Sequence, residues 1–197
     1  DITVNIGGIA NVTIISKSGN REDVTGFDTG PGMALVDECC QHFWQKPLDK
    51  GGEFSIKGTV NHQILSHLMS HPFIYKDHPK STGRDVFGRE FVLKIISEFS
   101  DISRFDILRS FVAFTAKSIS VNLKILRNFS ALDCRLFVSG GGMRHPLIMT
   151  DLIKYSGIKE ISDSKPLGIH PDFKEALLMA VLGVARIKQI PSNMQLV

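Results

Sequence analysis

Three runs rich in β-branched residues, 2–6, 11–17 and 22–27, fill the opening of this chain, separated by Gly, Asn and Ser. Branching at Cβ favours extended backbone, and those three residue types supply the turns between extended segments. Ser18-Gly19-Asn20 reads as a hairpin turn. Beyond residue 30 the pattern changes to helices alternating with single strands. Helices are expected at 31–45, 57–69, 88–99, 104–127, 146–155 and 172–188, and strands at 134–138 and near 158–161. Residues 46–56 and 70–87 read as loops. Pro31 suits the first turn of the first helix, which carries Ala34, Leu35, Cys39 and Phe43 as an apolar stripe. In the last helix Ala176, Leu177, Ala180, Val181 and Val184 are expected to face inward. Strands adjacent in sequence pair antiparallel, whereas strands joined through helices pair parallel. The expected fold class is therefore α/β, a three-layer domain on a mixed sheet.

With 197 residues, 43% of them hydrophobic, the chain can bury one substantial core. Its charges are mixed, the net value is only +3, and no dense Lys/Arg block occurs. Nucleic-acid binding is therefore not expected. No apolar run approaches the roughly 18 residues of a membrane span, and no basic start followed by an apolar stretch marks a signal peptide. Three cysteines, Cys39, Cys40 and Cys134, suit a reducing compartment better than a disulfide framework. A cytoplasmic location is the expectation, with Cys39 and Cys40 as core groups. The chain opens at Asp1 already inside a strand pattern, which reads as a portion of a longer polypeptide.

Two glycine-bearing segments, Asn5–Asn11 and Gly26–Gly32, carry the chemistry. The second is expected to place Asp28 at the tip of a tight turn directly before a helix. A helix N-terminus offers unpaired N–H groups to an anion, and an acid beside it suits proton abstraction next to a phosphate. An Asp in a turn is more often a cap, but three glycines and a proline exceed what a cap needs. Gly140-Gly141-Gly142 follows a strand and precedes a helix, where α/β sheets bind nucleotides. His145 stands where a dinucleotide fingerprint would need its last glycine. Pro79–Arg84 contains Lys-Ser-Thr but lacks the glycine spacing of a P-loop. It is either an exposed turn or a loop that brings Lys80 or Arg84 to an anionic or hydroxyl-rich ligand. His62, His67 and His71 lack a third ligand at sensible spacing, so no metal site is expected. Glu175 begins the last helix, where an acid complements the dipole. The abrupt approach through Gly168–Asp172 could also aim it into a cleft.

Asn5–Asn11, Gly26–Gly32, Pro79–Arg84, Ser139–Gly142 and Gly168–Ala176, in that order, resemble the motif set of the anhydro-N-acetylmuramic acid kinases. These are two-lobed ATPases of the hexokinase–actin–Hsp70 superfamily. The resemblance covers nearly the whole chain. It implies that residues 1–197 form a single C-terminal lobe of ribonuclease H-like (actin-like ATPase) fold, with the N-terminal lobe and its first phosphate loop absent. It implies a reaction in which ATP, water and 1,6-anhydro-N-acetylmuramic acid give ADP and N-acetylmuramic acid 6-phosphate. Asp28 is then the general base, and Glu175 contacts the sugar. Gly30 and Gly32 belong to the second phosphate loop, and Gly140, Gly141 and Gly142 to the adenosine-binding turn. ATP and Mg²⁺ are the implied cofactors, and the amino sugar is the partner; a homodimer is left open. The lobe alone is expected to be inactive. Three positions depart from the family pattern: Met33 and His145 replace Asn, and Asp49-Lys50-Gly51-Gly52 replaces Asp-x-Asp-Gly. They motivate a second expectation, a non-catalytic relative that binds sugar or nucleotide as a sensor. A superfamily kinase acting on another hydroxyl fits less well, because the Asp28 and Pro79–Arg84 motifs are not generic.

Overall fold

The computed structural model describes residues 1–16, 18, 20–125, 134–170 and 173–192. Five strands form one sheet: β1 (Ile2–Ile6), β2 (Ile9–Ile14), β3 (Thr25–Pro31), β4 (Arg135–Ser139) and β5 (Glu160–Asp163). Their order is β3-β2-β1-β4-β5. The first three pair antiparallel, and β1–β4 and β4–β5 pair parallel. This is the mixed sheet expected from the sequence. Among the described residues six α-helices accompany it: α1 (Ala34–Trp44), α2 (His62–Met69), α3 (Arg89–Glu98), α4 (Arg104–Ile125), α5 (Pro146–Ser156) and α6 (Lys174–Ile187).

Strand alternation sorts the two sheet faces. Ile2, Val4 and Ile6 of β1, Val12 of β2 and Val138 of β4 are buried in a core shared with Phe111, Phe114 and Ile119 of α4. Cys39 and Cys40 are buried there as well. The other face carries the half-buried Thr3, Asn5, Asn11 and Thr13. Asn122 of α4 donates to the Thr29 carbonyl at 3.1 Å, which fastens the long helix to β3.

The hairpin between β1 and β2 turns at Gly7-Gly8, so β2 starts earlier than expected and ends at Ile14. The proposed turn at Ser18-Gly19-Asn20 includes Gly19, which lies outside the described residues, as do 126 and 127 at the expected end of α4. Strand β3 runs on to Pro31 because Asp28, Gly30 and Pro31 keep pairing with β2, with Thr29 as an extra residue between them. Thr29 also donates its hydroxyl to the Ala10 carbonyl at 3.1 Å. Asp28 is therefore a strand residue, not the tip of a turn, and α1 starts three residues after Pro31. Long-range pairing overrides the local turn signal of Thr-Gly-Pro-Gly. Helix α2 begins at His62 because the Asn61 side chain accepts the N–H groups of Gln63 and Ile64.

Helix α6 lies where expected, but its inward stripe does not. None of its residues is buried, and Leu177, Val181 and Val184 are exposed. Its first two turns stand over the C-terminal edge of the sheet through Lys174 and Leu178, and the described residues give the rest of its apolar row nothing to pack on.

Candidate functional site

Asp28 sits opposite Asn11 in the β2–β3 register. Strand β3 is the edge of the sheet, and the segment Pro79–Thr82 lies along it. The Asp28 N–H donates to the Lys80 carbonyl at 3.0 Å. Oδ2 of Asp28 accepts from the Ser81 hydroxyl at 2.8 Å and from the Thr82 N–H at 2.9 Å. Both donors fall on one oxygen, Oδ2. The acid borders a cleft of about 440 Å³ with Asn11, Thr13, Gly26 and Pro79.

Lys80 explains how that segment is held. Its side chain is buried, and Nζ donates to the carbonyls of Phe73 at 2.9 Å and Ile74 at 3.0 Å. It also lies 4.9 Å from the centroid of the Phe73 ring. Burial pulls its pKa down to about 8. Lys80 is thus a backbone anchor rather than a group offered to a ligand. Arg84, the other cation of the motif, lies across Gly8 of the hairpin and reaches Glu38 of α1 at 3.4 Å. Two of the three histidines have other partners: His67 faces Glu98 at 3.3 Å, and His71 caps the turn at 72–75.

The triple glycine turns at the end of β4. Gly140 has φ +86°, and a Cβ there would stand 2.6 Å from the Ile6 carbonyl oxygen. A Cβ on Gly142 would stand 2.3 Å from Ile6 Cγ2. Both glycines are demanded by packing. Gly141 is not: a Cβ there would meet nothing within 4 Å. It projects between two clefts. One, of about 430 Å³, is bordered by Asn5, Asn11, Gly141, Lys174 and Glu175. The other, of about 660 Å³, is bordered by Met33, Asp37, Leu48, Gly51 and His145. Asn11 lines both the Asp28 cleft and the Glu175 cleft, so the two meet at its side chain. The fold thereby brings Asp28, Gly140, Gly141 and Glu175 around one junction.

Gly30 and Gly32 lie elsewhere. Gly30, at φ +135°, is pressed against Ile74 and Ser118, and a Cβ on Gly32 would stand 2.2 Å from the Gly7 carbonyl oxygen. Neither borders the three clefts. The N–H groups of Gly32 and Ala34 donate to the Gly8 carbonyl, and that of Met33 to the Gly7 carbonyl, at 2.7–3.1 Å. The start of α1 is thus bound to the hairpin. The unpaired amides that the sequence reading assigned to an anion at this corner are already committed.

His145, one of the three departures, touches the acid that the segment Asp49–Gly52 retains. His145 is buried, caps α5 by accepting the Ile148 N–H, and places Nε2 3.1 Å from Oδ2 of Asp49. Asp49 also accepts the N–H groups of Phe54 at 2.8 Å and Ser55 at 3.2 Å. Burial alone would raise its pKa, but the hydrogen bonds from His145, Ser55 and Phe54 outweigh it and hold the carboxyl below its ordinary value. Asp37 is the opposite case. Burial raises it to about 6, only partly offset by Arg84. Asn11 and Asp37 were not singled out from sequence. Asn11 did lie inside a quoted motif, and its register with Asp28 is what gives it weight.

The whole chain, residues 1–197, matches the family model of anhydro-N-acetylmuramic acid kinase. A curated relative of that name from Clostridioides difficile (strain 630) is 38% identical over 192 residues, covering 96% of this chain and 49% of the relative. One from Bacillus cereus (strain AH187) is 37% identical, with 96% and 50% covered. One from Shewanella pealeana (strain ATCC 700345 / ANG-SQ1) is 38% identical, with 98% and 51% covered. The chain spans about half the length of the curated relatives it matches. Among solved structures, the activator of the 2-hydroxyisocaproyl-CoA dehydratase from Clostridium difficile, with bound ADPNP, aligns with a TM-score of 0.54 at 17% identity. That alignment covers 98% of this chain and 64% of the other. The likeness is one of fold, the actin-like ATPase type with its mixed sheet.

Proposed function

The chain belongs to the anhydro-N-acetylmuramic acid kinase family, and from that premise we propose that the full-length polypeptide phosphorylates 1,6-anhydro-N-acetylmuramic acid at the expense of ATP while water opens the anhydro bridge. Residues 1–197 are then its C-terminal lobe. The observation that carries the reading is the junction at Asn11, where the cleft of the acid meets the cleft of the open glycine.

Oδ1 of Asp28 takes a proton from the attacking water while Ser81 and Thr82 hold Oδ2 in place. Fixing the carboxylate before the reaction lowers the entropic part of the barrier. Glu175 accepts a hydrogen bond from a sugar hydroxyl in the neighbouring cleft. The missing Cβ of Gly141 fits a nucleotide lying against the turn backbone, with Gly140 and Gly142 shaping that turn. Gly30 and Gly32 act by holding the second phosphate loop against the hairpin and α4. ATP would supply the phosphoryl group, held along the turn at Gly140, Gly141 and Gly142, and Mg²⁺ brought with it would neutralise the phosphate charge. Among the described residues no helix is long and apolar enough to cross a membrane; we place the protein in the cytoplasm.

The test is a coupled assay of ADP release by the full-length polypeptide with the anhydro sugar, ATP and Mg²⁺, with mass detection of the sugar 6-phosphate. Asp28→Asn is expected to lower turnover about 10²–10⁴-fold, the usual span for removing a general base. Retention of most activity by that variant removes the base assignment. Turnover of ordinary hexoses in place of the anhydro sugar replaces the substrate.

A further inference from the structure

We infer that Asn11 is a substrate-binding residue whose carboxamide holds, at the junction of the two clefts, the sugar oxygen that leaves C1 and receives the phosphoryl group. The inference rests on the function proposed above and adds a residue to it.

The register places a polar row across four strands: Asp28 opposite Asn11, Asn11 opposite Asn5, and Asn5 opposite Ser139. Cross-strand partners share a face and lie with Cβ atoms about 4.5–5.5 Å apart. Most of the row is engaged within the protein. Asp28 takes Ser81 and Thr82. Asn5 Oδ1 accepts from the Ser139 hydroxyl at 3.3 Å, and Lys174 donates to that hydroxyl at 3.0 Å. Among the described residues Asn11 is the exception, since its carboxamide has no hydrogen-bond partner there. Asn11 is half-buried and its amide is not one of the polar groups sealed from solvent, so a ligand entering the junction can bond to it. The β2–β3 register shifts between Ala10 and Asn11, with Thr29 the extra residue on β3 between Asp28 and Gly30; such a bulge bends its own strand and sets how Asp28 faces Asn11. The Asn11 side chain lines both clefts.

A ligand that meets water at Asp28 and a nucleotide at Gly141 must pass over this amide. In the proposed reaction a water oxygen bonds to C1 as the C1–O6 bond breaks, and the water proton passes to Oδ1 of Asp28. O6 keeps the bonding electron pair, forms a bond to the γ-phosphorus, and ADP leaves. Negative charge develops on O6 between the acid and the nucleotide. An N–H donor fixed there stabilises that charge without reorganising.

The experiment compares wild type, N11A, N11D and D28N in the full-length polypeptide. It measures kcat, nucleotide Kd and Tm for each. Asparagine and aspartate are nearly isosteric, so N11D removes the donor while keeping the side-chain volume. Both Asn11 variants are expected to lose about 10²–10³-fold in kcat, the usual effect of deleting one oxyanion donor. Nucleotide Kd stays within about twofold and Tm stays near the wild-type value, which a purely structural role would not leave in place. Two results overturn the inference: N11D with kcat near wild type, or losses in both variants that track a fall in Tm. If wild type turns over the sugar and D28N does not, either result removes the Asn11 role alone. An inert wild type removes the proposed function and this role together.

Discussion

Gly141 differs from its neighbours in what a side chain would meet. Alanine at Gly140 or Gly142 would collide with Ile6, whereas alanine at Gly141 would point into open space. Gly141→Ala should leave thermal stability within about 0.5 kcal/mol of wild type and weaken nucleotide binding in a calorimetric titration of the full-length polypeptide. Gly142→Ala should lower Tm clearly. Asp37 makes a second residue-scale prediction. Its carboxyl is raised from 3.8 to about 6 by burial. Folding therefore favours its protonated form, and its ionisation costs stability as pH rises through that interval. Asp37→Asn should raise Tm at pH 7.5 and change it little at pH 4, as read by calorimetric scans at the two pH values. At this scale the acid and the glycines are legible from residue type. Their partners are not, because Ser81 and Thr82 reach Asp28 across 53 and 54 residues. Nor is the pairing of Asp49 with His145, which spans 96. No local pattern encodes such contacts.

Among the elements, α4 and α5 are joined by core packing and by one largely buried ion pair. Arg109 Nη1 and Nη2 meet the two oxygens of Asp151 at 2.6 and 2.9 Å. Asp151 is only 5% exposed and Arg109 14%. Deleting one partner strands a buried charge, whereas replacing both with apolar groups of like size does not. Arg109→Ala should cost about 3–5 kcal/mol in urea unfolding, and the double change Arg109→Met with Asp151→Leu should recover most of it. The elements themselves were readable from periodicity and punctuation. Their limits were not where tertiary contacts decide: β3 outran its turn signal because β2 kept pairing with it, and α2 waited for the Asn61 cap.

Across the whole molecule, α6 is amphipathic but uncovered. Val181 is 56% exposed and Val184 53%, although the sequence presents both as core positions. Periodicity tells which side of a helix is apolar; it does not tell what covers that side. The 197-residue chain by itself should bind an apolar fluorescent dye through this patch. Val181→Glu with Val184→Glu should reduce the dye signal while leaving Tm nearly unchanged, since neither side chain is packed.

The amides of Gly32, Met33 and Ala34 lash the first turn of α1 to the hairpin carbonyls. Hairpin, edge strand and helix therefore travel as one stiff wedge. Any bending of this lobe has to occur at some other joint, so the carboxylate keeps its address relative to the hairpin and the helix.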